Sequence, residues 1–207
     1  MKNRVYISTL IIIISSLSCS STLKFSKNNK STVVKEQESV NIPWDRKYKL
    51  TWDDFNGVVD SSQEYAAVTW TIIKRNQTGL SEDKIFMTIN NFFLKEQSWV
   101  KRNQANDELL KHERIHWDIV EYFTRKLRKI YSEHLSSSIN DSYIFFHNEY
   151  DKILNDKNDF QNQYDTETDF SKNKEKQKEW ASKVEKLLKE YEDYSNINVE
   201  VNRIKEE

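Results

Sequence analysis

Leu109, His112, His116, Ile119, Phe123, Leu127 and Ile130 recur at steps of three and four, which is one face of a long helix. Asn106 or Asp107 can cap it, and the serines at 136–138 end it. Tyr143, Phe146, Tyr150 and Ile153 repeat the spacing in a second helix. Gln177, Trp180, Val184, Leu187, Leu188 and Tyr191 do so in a third. Ahead of these the period is nearer two. Residues 64–74 and 84–94, rich in Val, Ile, Thr, Phe and Trp, predict two strands joined by a loop over 76–83 that contains Gly79. Ala66, Val68, Trp70 and Ile72 alternate on what reads as one face. A shorter strand is expected over 47–52, a polar loop over 156–169 and a tail over 195–207. The pattern predicts an α+β fold, a small antiparallel sheet of about three strands packed on the long helix and two further helices.

The N-terminus changes the picture. Lys2 and Arg4 precede an apolar run over 5–14, followed by Ser15, Ser16, Leu17, Ser18 and Cys19. A basic flank, a short apolar stretch and small residues are the parts of a secretory signal. The run falls short of the ~20 apolar residues a spanning helix needs. Ser16-Leu17-Ser18-Cys19 resembles a lipobox, with Ser16 in the usual leucine position, which makes Cys19 the expected lipidation site. The expected organisation is a signal peptide over 1–18, lipid attachment and a flexible linker over 19–41, a folded domain over 42–194 and the tail. The expected address is an exported, membrane-anchored lipoprotein of a bacterial cell envelope, with plain secretion or a periplasmic location as the alternative.

Composition narrows the chemistry. The 207 residues carry 32 basic and 33 acidic side chains, a net charge of -1, so no phosphate-backbone footprint exists and no nucleic-acid partner is expected. Two Gly and one Pro argue against glycine-rich phosphate loops and many-turned β folds. A single cysteine excludes intrachain disulfides and Cys-based zinc modules.

His112-Glu113-Arg114-Ile115-His116 is an H-E-x-x-H motif on the long helix. Residues four apart stack on one face, so both imidazoles can reach one ion, and Glu113 on the flank can take a proton from water. Two inward-facing imidazoles beside a carboxylate need something to satisfy them, and a cation does so. The competing reading is a pair of core histidines hydrogen-bonded to backbone or tyrosine. His134 lies too far along the helix to share the ion, and His147 comes too soon after the turn. Opposite the motif, in a helical hairpin, falls the 156–169 segment with Asp156, Asp159, Tyr164, Asp165, Glu167 and Asp169, from which a third ligand is expected.

A longer ordered series surrounds the motif. It comprises Leu50-Thr51-Trp52-Asp53-Asp54-Phe55, Tyr65-Ala66-Ala67, Ser98-Trp99-Val100, Leu109 to Glu113 with His116, Arg125-Lys126-Leu127, Tyr164-Asp165-Thr166-Glu167-Thr168, and residues 177–180. Over residues 44–190 this resembles a bacterial family of exported proteins, domain of unknown function 922, described as zinc-dependent proteases. The resemblance implies a zincin-like domain acting on a peptide or protein substrate, with His112 and His116 holding Zn2+ and Glu113 as general base. The family's Tyr-Asp-x-x-Thr segment runs on to a histidine, the natural third ligand, where this chain has Phe170. A glycine of the family is replaced by Ile115. Glu167, Asp165 or Asp169 then completes a two-His-one-carboxylate site, with Glu167 the expected ligand. Tyr164 is a candidate donor to the developing oxyanion, or else a packing residue. Loss of the histidine at Phe170 also favours a second reading, an envelope lipoprotein that binds a partner and has lost catalysis.

Overall fold

A computed structural model describes residues 41–204, which lie within one compact unit, Gln37–Glu207. The expected signal segment, Cys19 and the linker as far as residue 40 lie outside the described residues. Among the described residues no helix is long and apolar enough to cross a membrane. The fold is mixed α+β, with a 26-residue helix against a small, largely antiparallel sheet.

The elements run β1 (Asn41–Pro43), β2 (Ala67–Val68), β3 (Thr71–Leu80), β4 (Lys84–Leu94), β5 (Trp99–Val100), α1 (Asp107–Ser132), β6 (Leu135–Ser136), α2 (Ile139–Thr168), α3 (Lys174–Glu190) and β7 (Asn198–Arg203), with three short 3-10 turns. Strand β4 is the centre of the main sheet. Strand β3 pairs along one side of it, while β1 and β7 share the other. Strand β6 joins β7 in the one parallel pairing among the described residues. Strands β2 and β5 form a separate antiparallel pair.

The inward face of β4 carries Ile85, Met87, Ile89 and Phe93, the alternation of a half-buried strand. Ile85, Met87 and Ile89 pack with Ile119, Val120, Phe123 and Leu127 of α1. Phe93 joins Trp117, Leu109, Leu50 and Phe55 in a second cluster. Helix α1 starts at Asn106, whose side chain accepts from the Leu109 N–H at 3.0 Å, and Asp107 and Glu108 sit favourably in its first turn.

Five expectations are corrected. The β3–β4 register sets Thr71 opposite Phe93 and Ile73 opposite Asn91, so the odd residues of β3 share the buried face. Trp70 and Ile72 therefore point outward, and the connection shrinks to residues 81–83, closed by bonds between Ser81 and Lys84. Residues 47–52 form no strand. Asp54 accepts from the backbone N–H and hydroxyl of Thr51 at 3.0 and 3.2 Å, and that local bonding winds Trp52–Asp54 into a 3-10 turn.

The stretch 156–169 is not a loop but the second half of α2. Its core stripe continues through Ile153, Phe160, Tyr164 and Thr168, one inward residue per turn among polar neighbours. The expected tail contains β7, with Val199 and Val201 buried against the sheet core. Truncating the chain before Asn198 should therefore cost roughly 3–6 kcal/mol from these two valines alone. A urea midpoint unchanged by that truncation would contradict the assignment.

Candidate metal centre

The helical hairpin of α1 and α2 sets Gln161, Tyr164 and Asp165 beside the H-E-x-x-H face of α1. His112 and His116 stand one turn apart and edge to face, their ring centroids 4.8 Å apart. The Nε2 atoms of the two rings are 3.2 Å apart. Asp165 Oδ1 lies 3.1 Å from His112 Nε2 and 2.8 Å from His116 Nε2. His112 is buried, with 4% of its side chain exposed, whereas Asp165 retains 25%. The cluster is therefore approachable from one side.

Chemistry and size of the donor set both fit a cation. Two imidazole nitrogens facing each other at 3.2 Å repel through their lone pairs unless a proton or an ion lies between them. A tetrahedral zinc site with bonds of about 2.0–2.1 Å has donor–donor edges of about 3.4 Å. The observed triangle is a few tenths of an ångström tighter. The His112, His116 and Asp165 cluster can chelate a metal ion.

Within the cluster, Asp165 and the imidazoles stabilise each other's charge. Burial pushes the Asp165 carboxyl up, but hydrogen bonds from His112 and His116 outweigh it and hold the group well below the usual carboxylate range. Burial likewise pushes His116 down, while Asp165 and the Glu113 charge raise it on balance. The Gln161 side chain beside His116 adds to the upward push and lines the same cavity. His112 Nδ1 is buried without a partner, so beyond the Nε2 contacts its ring is positioned by packing.

That packing comes from Tyr164. Its ring lies flat against His112, with centroids 4.5 Å apart at 21°. Its hydroxyl donates to the His112 carbonyl at 3.4 Å, and the residue is fully buried. Burial, then the charges of Glu113 and Asp165, push its phenol far up, so it stays a neutral donor. Its hydroxyl faces α1 backbone, the geometry of the packing residue that the sequence offered beside the oxyanion-donor role.

Glu167 is corrected as well. Two residues from Asp165 on a helix, it falls on the opposite side. There it accepts from Trp180 Nε1 at 2.8 Å and Gln163 Nε2 at 2.7 Å. Had 156–169 been a loop, either carboxylate could have turned inward; the helix selects Asp165. Asp169 lines the neighbouring cavity but is not in the cluster. His134 stacks on Phe145 with centroids 3.7 Å apart, and His147 faces Asp151 at an exposed site. Both stand apart from the ion site, as their spacing predicted.

A cavity of about 710 Å³ opens beside the cluster, with Glu113 in its wall alongside His112, His116, Asp165 and Phe170. The opposite wall is residues 62–69. Thr69 ties that segment to α1, its hydroxyl donating to the Glu113 carbonyl at 3.3 Å. Lys101 N–H donates to Ala66 O, which makes 66 and 101 a hydrogen-bonded pair of the β2–β5 ladder. By the alternation of antiparallel ladders, the N–H and C=O of Ala67 then point away from β5. Gln161 and Thr69 escaped the sequence reading. Gln161 lies four residues before Asp165, a signal visible only once α2 is known to be continuous.

Comparisons with protein-family models, with curated proteins and with solved structures returned no match to this chain.

Proposed function

We propose that the protein is a zinc-dependent metallopeptidase, tethered at the cell envelope through Cys19. The observation that carries the reading is the convergence of His112 Nε2, His116 Nε2 and Asp165 Oδ1 within 3.2 Å of one another, with Glu113 in the wall of the same cavity. Asp165 supplies the third donor that Phe170 does not, which weakens the ground for a non-catalytic relative. The resemblance to the exported protease family supports the same reading.

Zinc held by these three residues would supply a Lewis acid and lower the pKa of water to about neutrality. Glu113 then takes a proton from the attacking water and passes it to the leaving amide nitrogen as the C–N bond breaks. The outward N–H and C=O of Ala67 suit the backbone of an extended peptide, which adds to an open strand edge through such groups. Tyr164, stacked on His112, keeps that ring from rotating.

Metal titration tests the site. The wild-type chain should bind close to one zinc, and His112→Ala none. Asp165→Asn should lower zinc affinity by about 100-fold, at or above the loss usual for outer-shell residues, while Glu167→Gln leaves it unchanged. Absence of zinc binding in the wild type ends the peptidase reading; an effect of Glu167→Gln matching that of Asp165→Asn would mean the ligand is misassigned.

A further inference from the structure

Asp169, Phe170 and Ser171 form the turn between α2 and α3, and all have positive φ, at 45°, 50° and 77°. None is glycine, so each holds a conformation that its side chain disfavours. The turn is fixed by its own backbone bonds, from Phe170 N–H to Asp165 O at 3.0 Å and from Asn173 N–H to Thr168 O at 2.8 Å. Its effect is to keep Phe170 out of the core. The ring is left 43% exposed, one turn beyond the ligating Asp165.

Across the cavity mouth stands Tyr65, 46% exposed. The two ring centroids are 5.6 Å apart and the rings are inclined at 46°, so they touch without stacking flat. Both rings line the cavity that holds His112, His116 and Asp165. Much of the remaining wall is polar, including Glu64, Gln104 and Lys172. An aromatic patch therefore sits in a cavity of mixed lining, with Tyr65 two residues from the outward-facing N–H and C=O of Ala67.

We propose that Tyr65 and Phe170 form a side-chain subsite that takes an aromatic or branched aliphatic residue of a bound peptide. The proposal rests on the peptidase reading and deepens it by naming the substrate class. A peptide lying along Ala67 satisfies its backbone there, and the side chain reaching the patch covers two half-exposed rings, which a charged or methyl side chain does not. Phe170 thus sets specificity where the resembling family has a ligand.

Binding in the absence of turnover provides the test. The full chain carrying Glu113→Gln is titrated, with and without zinc, with blocked peptides that differ at one position: Phe, Leu, Ala or Glu. The Phe and Leu peptides should bind about ten-fold or more tightly than the Ala and Glu peptides, the discrimination an apolar pocket gives. Tyr65→Ala or Phe170→Ala should erase most of that difference, and Phe170→Leu should keep it. Both residues are half-exposed, so the variants fold. Equal affinities, no binding at millimolar peptide, or discrimination that survives both alanine variants overturns the proposal. Discrimination in a chain that takes up no zinc would refute the peptidase reading alone; zinc uptake without discrimination would refute the subsite alone.

Discussion

Glu113→Gln will leave zinc stoichiometry at the wild-type value and lower peptide hydrolysis by about 10²- to 10⁴-fold, the usual contribution of a positioned general base. The side chain is 3% exposed and shares a cavity wall with the ligating residues. It makes none of the contacts among His112, His116 and Asp165 that define the ion site. Glutamine keeps its volume and removes only the capacity to accept a proton. Metal content by mass spectrometry and turnover of a generic peptide are the two readouts. Hydrolysis retained at the wild-type rate would take the proton-transfer role away from Glu113; zinc lost along with hydrolysis would make it a structural part of the site.

The second large effect is on stability. Glu121 is buried in α1, and its Oε1 accepts from Arg125 Nε at 3.2 Å and Arg128 at 2.9 Å. Both guanidiniums are 2% exposed. Arg128 also donates to the Ile89 carbonyl of β4 at 2.9 Å, and Arg125 to the Leu188 carbonyl of α3 at 2.7 Å. This network fastens the helix bearing the motif to the sheet on one side and to α3 on the other. Removing the shared carboxylate leaves Arg125 with the half-exposed Glu192 and Arg128 with backbone carbonyls in place of a carboxylate. Glu121→Ala should therefore destabilise the fold by about 3–5 kcal/mol, read as a fall in the urea midpoint. Adding Arg128→Met should recover part of that loss, because it removes one stranded charge. A loss below about 1 kcal/mol, typical of an exposed pair, would show that water reaches the network.

The parts of the fold legible in the sequence are those in which one physical signal dominates. Helix α1 declares itself through an unbroken apolar face and the cap at Asn106, and β4 through strict alternation. The two histidines and Glu113 follow from spacing on that helix. Helix α2 beyond Asp156 was hidden because it buries about one side chain per turn and is polar elsewhere, a pattern that resembles a loop. The choice between Asp165 and Glu167 depended on that helix, since only helical geometry puts them on opposite sides. Strand β7 offers just Val199 and Val201 as apolar signal, too little to distinguish from a tail. The outward position of Phe170 depends on backbone angles at Asp169, Phe170 and Ser171 that no side-chain pattern announces.

The two strands that share one side of β4 impose an order of events. Lys84 pairs with Asn202, whereas Phe92 pairs with Pro43. Residues 84–88 thus wait, with one row of backbone groups unpaired, until a strand from beyond all three helices arrives. Pairings so distant along the chain are slow to close, and an unpaired edge invites another chain in the meantime. Folding of this domain should be limited by the docking of β7. Its aggregation hazard then lies in the interval before that docking, when the helix bearing the H-E-x-x-H motif is already formed and the sheet beneath it is still incomplete.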